Sequence, residues 1–155
     1  MNQDLLVENA AFFPVVREML GKGHTVTINV RGYSMRPFLE NERDRVILAP
    51  LAGQPRVGDA LLVENTPGHY VLHRLLRIGP DGTLTLQGDG NCCGTETCSL
   101  PDVLGVVTHY LYPGHTVPAA DPVRRFNVRL WRRLRPLRRY LLFIYRQVWA
   151  RGGNP

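Results

Sequence analysis

The sequence lacks the features that mark several common classes of protein. Its three cysteines, Cys92, Cys93 and Cys98, lie close together in one segment, and they are too few and too bunched for a disulfide framework. They also lack the CxxC spacing of a zinc site, so neither a metal nor a cofactor is expected. The longest uninterrupted apolar run covers residues 140–145, whereas a transmembrane helix needs roughly 20 apolar residues. No basic segment followed by an apolar one opens the chain, so no signal peptide is predicted.

Positive charge is concentrated at the C-terminal end. The 155 residues carry a formal net charge of +6. Residues 121–155 contain ten arginines and a single acidic residue, Asp121, whereas residues 1–120 contain 9 Lys/Arg and 12 Asp/Glu. The basic character therefore belongs to a C-terminal segment and not to the domain before it. The length fits one domain, and 15 glycines with 12 prolines favour a turn-rich β structure over a helix bundle.

The hydrophobic pattern predicts a mostly β protein with a helix at each end. Apolar residues at helical spacing predict a short N-terminal helix within residues 1–23, which ends at a Gly-Lys-Gly sequence. From His24 onward the period changes to that of a strand. We therefore expect a small, partly closed antiparallel β-sheet system over residues 24–112, followed by a linker over residues 113–122. The predicted strands begin near Val26 and continue at residues 45–49, 60–64, 70–78, 83–87 and 103–112.

Three polar residues stand at positions where the strand pattern does not require them. Ser34 follows the first predicted strand and precedes a proline-containing turn, where backbone N–H groups could stabilise an oxyanion. His73 lies on an apolar strand, and histidine is the residue type most often used as a general base. Asp89 occupies a glycine-rich turn. Each also has a structural explanation: a helix N-cap for the serine, a buried structural histidine, and an Asp-Gly turn.

Four short segments, taken in order, carry a resemblance to a known family. They are residues 32–37 (GYSMRP), 57–63 (VGDALLV), 72–74 (LHR) and 88–91 (GDGN). The set resembles the successive boxes of the signal peptidase I and LexA-type serine peptidase superfamily, and the resemblance covers about residues 24–112. Bacterial signal peptidases and LexA-type repressors have a lysine base in the third box. The histidine at this position, His73, makes the sequence most similar to the endoplasmic-reticulum and archaeal signal peptidases, which use a Ser–His pair.

The resemblance implies a fold and a catalytic role for each of the three polar residues. The fold would be the mostly β fold of the LexA and signal peptidase type. Ser34 would be the acyl-accepting nucleophile, with its backbone N–H facing the oxyanion, and His73 would be its general base. Asp89 would orient the imidazole or stabilise its charged form. Some relatives add a serine hydroxyl where this chain has Gly32, and losing one oxyanion donor typically costs roughly 10²–10³ in turnover, so a slow enzyme is expected.

The C-terminal segment, residues 123–151, predicts a basic amphipathic helix. Its apolar residues recur at steps of three and four and its arginines occupy much of the remainder, a profile typical of a helix that lies in an anionic membrane interface. Pro136 predicts a kink. An acidic partner protein or a transporter is the alternative partner, while nucleic acid is disfavoured because it would leave the apolar stripe uncovered. The predicted interface residues are Arg125, Arg129, Trp131, Arg132, Arg133, Leu137, Arg138, Leu141 and Trp149.

The sequence leads to one main functional hypothesis and two alternatives. The main hypothesis is a serine endopeptidase that cleaves leader- or signal-type peptides from a peptide or preprotein substrate at a membrane surface. Because residues 1–23 are short and charged, no N-terminal anchor is expected, and the predicted location is peripheral, on the cytoplasmic face. A non-enzymatic, membrane-associated binding module with the same fold is the first alternative. A LexA-like self-cleaving regulator is disfavoured, since its Ala-Gly cleavage site would precede the serine, whereas Ala52-Gly53 follows Ser34.

Overall fold

A computed structural model describes the backbone of residues 2–152 and the side chains of residues 11–149. The strands are β1 (Val26–Asn29), β2 (Arg45–Ala49), β3 (Ala60–Thr66), β4 (His69–Ile78), β5 (Leu84–Gln87), β6 (Glu96–Cys98), β7 (Val103–Tyr112) and β8 (His115–Pro118). The helices are α1 (Asn2–Gly21), α2 (Pro122–Arg133) and α3 (Arg138–Gly152), and short 3-10 turns cover Leu100–Asp102 and Arg135–Leu137.

The eight strands form one antiparallel sheet. Its order is β1-β2-β7-β3-β4-β5-β6, with β8 paired to β7 beyond that path. The predicted mostly β, antiparallel architecture is therefore confirmed. The sheet is open, however, where the sequence predicts partial closure, because β1 and β6 end the order without pairing with each other. Residues 113–122, predicted as a linker, contain β8, which pairs with β7.

Two hydrophobic cores form because consecutive strand residues point to opposite faces. Leu61 and Leu62 are neighbours on β3, and both are fully or almost fully buried. Leu62 joins the first core, in which Val16 and Leu20 of α1 pack against the sheet, while Leu61 joins the second core, which includes Leu75. The predicted N-terminal helix thus exists as α1, and its buried face covers the first core.

The C-terminal segment is two helices and not one. Asp121 caps α2, since its Oδ1 accepts a hydrogen bond of 2.8 Å from the backbone N of Arg124. The helical path is interrupted at the 3-10 turn Arg135–Leu137, which contains Pro136; a proline removes one backbone donor and disfavours a continuous helix. The predicted kink is therefore present. Among residues 2–152, no helix combines the length and the apolar character needed to cross a membrane.

Candidate active site

Ser34 stands at the start of a helical turn between β1 and β2. The backbone N–H groups of Phe38 and Leu39 both donate to the carbonyl of Met35, which closes that turn. Met35 and Leu39 are buried at 2% and 0% exposure and anchor the segment in the first core. We call residues 31–39 the nucleophile loop. Ser34 itself is half-buried, and the N-terminal end of the helical turn follows it directly.

The glycine-rich turn of residues 88–91 packs directly behind the nucleophile loop. The N–H of Gly90 donates to the carbonyl of Ser34 at 2.7 Å. A Cβ atom placed on Gly90 would lie 2.6 Å from the carbonyl oxygen of Tyr33, and one on Gly88 would clash with the carbonyl of Ser34. Both glycines are therefore required by the close approach of two backbones. The GDGN segment supports the backbone of the serine in this way.

His73 of β4 is held by an acidic residue that the sequence does not single out. Its Nδ1 lies 2.7 Å from Oε2 of Glu96, the first residue of β6. The His73 side chain is 6% exposed, whereas the Glu96 side chain is 32% exposed. A carboxylate at Nδ1 accepts the proton of the imidazole there, so that Nε2 is left without a proton and can act as a base. A carboxylate in this position can orient an imidazole, as the acid of a Ser–His–acid arrangement does.

The role predicted for Asp89 requires correction. Its carboxylate accepts two hydrogen bonds from the Arg74 guanidinium, at 3.2 Å from Nε and 2.5 Å from Nη2, and both side chains are 2% exposed. Burial is the largest single influence and would lower the pKa of Arg74, but the charge and hydrogen bonds of Asp89 and the contribution of Tyr110 together raise that pKa above its ordinary value. Arg74 and His73 are consecutive on β4, so they point to opposite faces of the strand. Asp89 therefore pairs with the residue next to the histidine.

Ser34 and His73 line the same cleft, a cavity of about 410 Å³. The cleft is mostly apolar and is flanked by the nucleophile loop, β1, β4 and the aromatic residues Phe12 and Phe13 of α1. Phe13 stacks on Tyr70, with ring centroids 4.5 Å apart and an interplanar angle of 19°. No hydrogen bond joins the two described side chains of Ser34 and His73 in this structure. The structure nonetheless brings the predicted nucleophile and the predicted base to one surface.

Two sheet edges border this cleft without a neighbouring strand. β1 ends the strand order and is paired only with β2 among the described residues. The N-terminal half of β4 is paired with β3 but not with β5, whose register with β4 begins at Arg74. Unpaired edge backbone can accept an extended peptide by hydrogen bonding. The cleft therefore combines apolar walls with free main-chain donors and acceptors.

Several of the residues predicted to contact lipid are instead bonded within the protein. Trp131 Nε1 donates to the carbonyl of Asp89 at 2.8 Å, and Arg132 Nη2 donates to the carbonyl of Leu76 at 3.2 Å. Arg138 Nη1 donates to Gln87 Oε1 at 2.9 Å and to the carbonyl of Asn91 at 3.0 Å. Arg138 is only 2% exposed, so its predicted contact with lipid is wrong: α3 turns this arginine toward the sheet.

The rest of the C-terminal segment presents a large apolar surface. Leu137 and Trp149 are 52% and 40% exposed, Arg125, Arg129 and Arg133 are exposed, and Leu141 is half-buried. We call the exposed apolar residues of α2, α3 and the turn between them the tail surface. It consists of Val123, Phe126, Leu130, Leu137, Tyr140, Phe143, Ile144, Val148 and Trp149. Exposed apolar side chains in this number are typical of interaction surfaces.

The cysteine segment holds three free thiols. Cys92 and Cys93 are exposed and Cys98 is buried. Burial raises the pKa of Cys98 to about 11, and the charges of Asp102 and Glu96 add to that effect. No cluster of His, Cys, Asp or Glu that could hold a metal ion occurs among the described residues.

The chain matches no protein-family model, no curated protein and no solved structure in comparisons with each. Its candidate chemistry consequently rests on its own residues. Those residues are a serine at the start of a helical turn, a histidine across the same cleft, and a glutamate that holds the histidine.

Proposed function

We propose that this protein is a serine endopeptidase that resembles the Ser–His signal peptidases and cleaves leader- or signal-type peptides. The observation that carries the proposal is the shared cleft of Ser34 and His73, together with the bond of 2.7 Å between His73 Nδ1 and Glu96. The ordered motifs of residues 24–112 support the same activity. Glu96 replaces Asp89 in the orienting role, because Asp89 is committed to Arg74.

The proposed reaction proceeds through an acyl-enzyme. Ser34 Oγ attacks the scissile carbonyl carbon while His73 Nε2 takes the hydroxyl proton, and the backbone N–H of Ser34 donates to the oxyanion. Glu96 stabilises the imidazolium that forms. Collapse of the tetrahedral intermediate breaks the C–N bond, and His73 returns the proton to the departing amine. Water activated by His73 then hydrolyses the ester and restores the serine.

The walls of the cleft favour a substrate with apolar side chains in an extended conformation. Ile28, Val30 and Leu72 line the cleft together with the aromatic residues of α1. An extended peptide can pair with the free edges of β1 and β4 while its alternate side chains contact this apolar lining. Apolar leader and signal segments have this character. The tail surface and the exposed arginines beside it would bind an anionic membrane interface and hold the enzyme where such substrates lie.

A non-enzymatic peptide-binding module is the second candidate. The observation in its favour is that no hydrogen bond joins the described side chains of Ser34 and His73 in this structure. In many enzymes, however, the bond between nucleophile and base tightens only after substrate has bound. The two candidates share the cleft and differ in whether the bound peptide is cut.

A cleavage assay separates the two candidates. Wild type, Ser34→Ala and His73→Ala are incubated with a library of leader-like peptides and anionic vesicles, and products are read by mass spectrometry. His69→Ala is the matched control, because His69 lies on the same strand but is exposed and bonded to Asn65. We expect wild type and the control to cut the same peptides and the two site variants to cut none. Peptide binding without cleavage by any of the four proteins would favour the binding module.

A further inference from the structure

A second cavity, separate from the cleft, is walled by arginines. It has a volume of about 230 Å³ and lies between the sheet and α2. Its lining shares no residue with that of the cleft. A single carboxylate, Asp59, stands against the six arginines that line it: Arg56, Arg74, Arg124, Arg125, Arg129 and Arg132.

The carboxylate in the cavity does not neutralise these charges. Asp59 Oδ2 accepts a hydrogen bond of 2.8 Å from the backbone N–H of Arg56. Arg74 is already neutralised by Asp89 and also donates to the carbonyl of Gly58 at 3.0 Å. Among the residues whose side chains are described, none forms an ion pair with the other five guanidinium groups.

Arg124 carries part of this excess positive charge in the interior of the protein. It is 8% exposed, and it stacks on Tyr110 with its Cζ 3.2 Å from the ring centroid. Its Nη1 donates to the hydroxyl of Tyr112. Neither Nε nor Nη2 has a hydrogen-bond partner within the described part of the chain. A guanidinium is always charged, and a buried charge without a carboxylate is costly unless something else pairs with it.

The other arginines are placed to complete an anion site around Arg124. Arg132 is half-buried, and burial together with the charges of Arg74 and Arg129 lowers its pKa. Arg125 and Arg129 are exposed at the rim on α2, and Arg56 is exposed at the rim on the loop that precedes β3. Guanidinium groups converge in this way on ligands with several anionic oxygens, because each can donate two parallel hydrogen bonds.

We infer that this cavity binds an anion of the phosphate class, with Arg124 at its base and Arg56, Arg125 and Arg129 at its rim. Such an anion offsets the buried charge of Arg124 and the mutual repulsion of the rim arginines. It can be the headgroup phosphate of an anionic phospholipid or a soluble phosphate. The inference does not rest on peptidase activity, since the two cavities have no lining residue in common.

The test compares two double variants of the full chain that lose the same charge. Arg125→Gln/Arg129→Gln removes two rim arginines, and Arg133→Gln/Arg139→Gln removes two exposed arginines that do not line the cavity. Arg56→Gln is a second rim variant outside the C-terminal helices. In the first arm, thermal unfolding is followed in sodium phosphate and in sodium chloride of equal ionic strength. In the second arm, binding to phosphatidylglycerol/phosphatidylcholine vesicles is compared with binding to phosphatidylcholine alone.

In the first arm, we expect saturating phosphate to raise the Tm of wild type and of the control by about 5 °C. The rim variants should need at least tenfold more phosphate for the same shift. If the rim variants also lose vesicle binding relative to the control, the ligand is a lipid headgroup, and if only the phosphate arm separates them, it is a soluble phosphate. If neither arm separates the rim variants from the control, the arginines act only as bulk charge and the inference is wrong.

Discussion

Two consecutive residues of β4, His73 and Arg74, each pair with a carboxylate, but the two pairs differ in their surroundings. The Arg74–Asp89 pair is 2% exposed on both sides and lies beneath α2, where Trp131 bonds to the Asp89 carbonyl. His73 lines the cleft, and the side chain of its partner Glu96 is 32% exposed. The first pair is buried next to the arginine-lined cavity, whereas the histidine of the second pair faces the cleft.

The difference shows how one strand can carry a stabilising element on one face and a reactive one on the other. The buried ion pair fixes the turn of residues 88–91, which supports Ser34. A histidine paired with a partly exposed carboxylate keeps one ring nitrogen free to react. Asp89 is therefore expected to govern stability and Glu96 to govern catalysis.

The largest expected effect is a loss of stability when the buried Arg74–Asp89 pair is broken. Asp89→Asn leaves the Arg74 guanidinium buried without its counter-charge, and breaking a buried pair in this way costs about 3–5 kcal/mol of unfolding free energy. Urea unfolding measures the loss. Glu96→Gln is the matched carboxyl-to-amide control and should cost less than about 1 kcal/mol, since a partly exposed pair contributes little. Equal losses in the two variants would remove the contrast between the pairs.

The second effect is on turnover. Glu96→Gln should lower kcat for peptide cleavage by about 10²-fold or more while leaving KM nearly unchanged, because the glutamine no longer stabilises the imidazolium. Peptide cleavage kinetics measure it. Asp89→Asn, assayed where it is fully folded, should lower kcat less. The reverse order, with Asp89→Asn inactive and Glu96→Gln active, would return the orienting role to Asp89.

A smaller effect is expected where α2 supports the turn behind the serine. Trp131→Phe keeps an aromatic ring but loses the hydrogen bond to the Asp89 carbonyl, which should cost about 1 kcal/mol of stability. It should also lower kcat several-fold, because that turn bonds to Ser34 through Gly90. Trp149→Phe is the matched control: its ring is 40% exposed on α3, so stability and kcat in solution should not change. Unfolding and cleavage measured on both variants decide the point.

The sequence predicts the sheet well where strands are long and bounded by turns. The predicted strands at residues 45–49 and 103–112 coincide with β2 and β7. β6 (Glu-Thr-Cys) and β8 (His-Thr-Val-Pro) were not predicted because neither shows the alternation of apolar and polar residues that marks a strand. The open sheet was also not predictable, since local pattern does not specify whether two edge strands meet.

The sequence motifs single out two residues of the candidate site and miss a third, because local sequence pattern does not report which strands pair. The motifs identify Ser34 and His73, which the structure places on one cleft. Glu96 was missed because only the pairing of β6 with β5 brings it to the histidine. In residues 123–151, periodicity identifies the apolar stripe but not which face of the helices packs on the sheet. The packed face includes Arg124 and Arg138, while most of the apolar stripe is exposed.

The most direct test of the central claim is to trap the acyl-enzyme. A leader peptide that carries an ester at its C-terminal end is mixed with the protein, and the reaction is quenched in acid. The masses of the intact protein and of its digest are then measured by mass spectrometry. We expect one acyl group, located on Ser34, in wild type and His69→Ala, formed more slowly in Glu96→Gln and absent in Ser34→Ala and His73→Ala. Acylation of Ser34→Ala to the same extent as wild type, or no acyl group in any protein, would contradict the account.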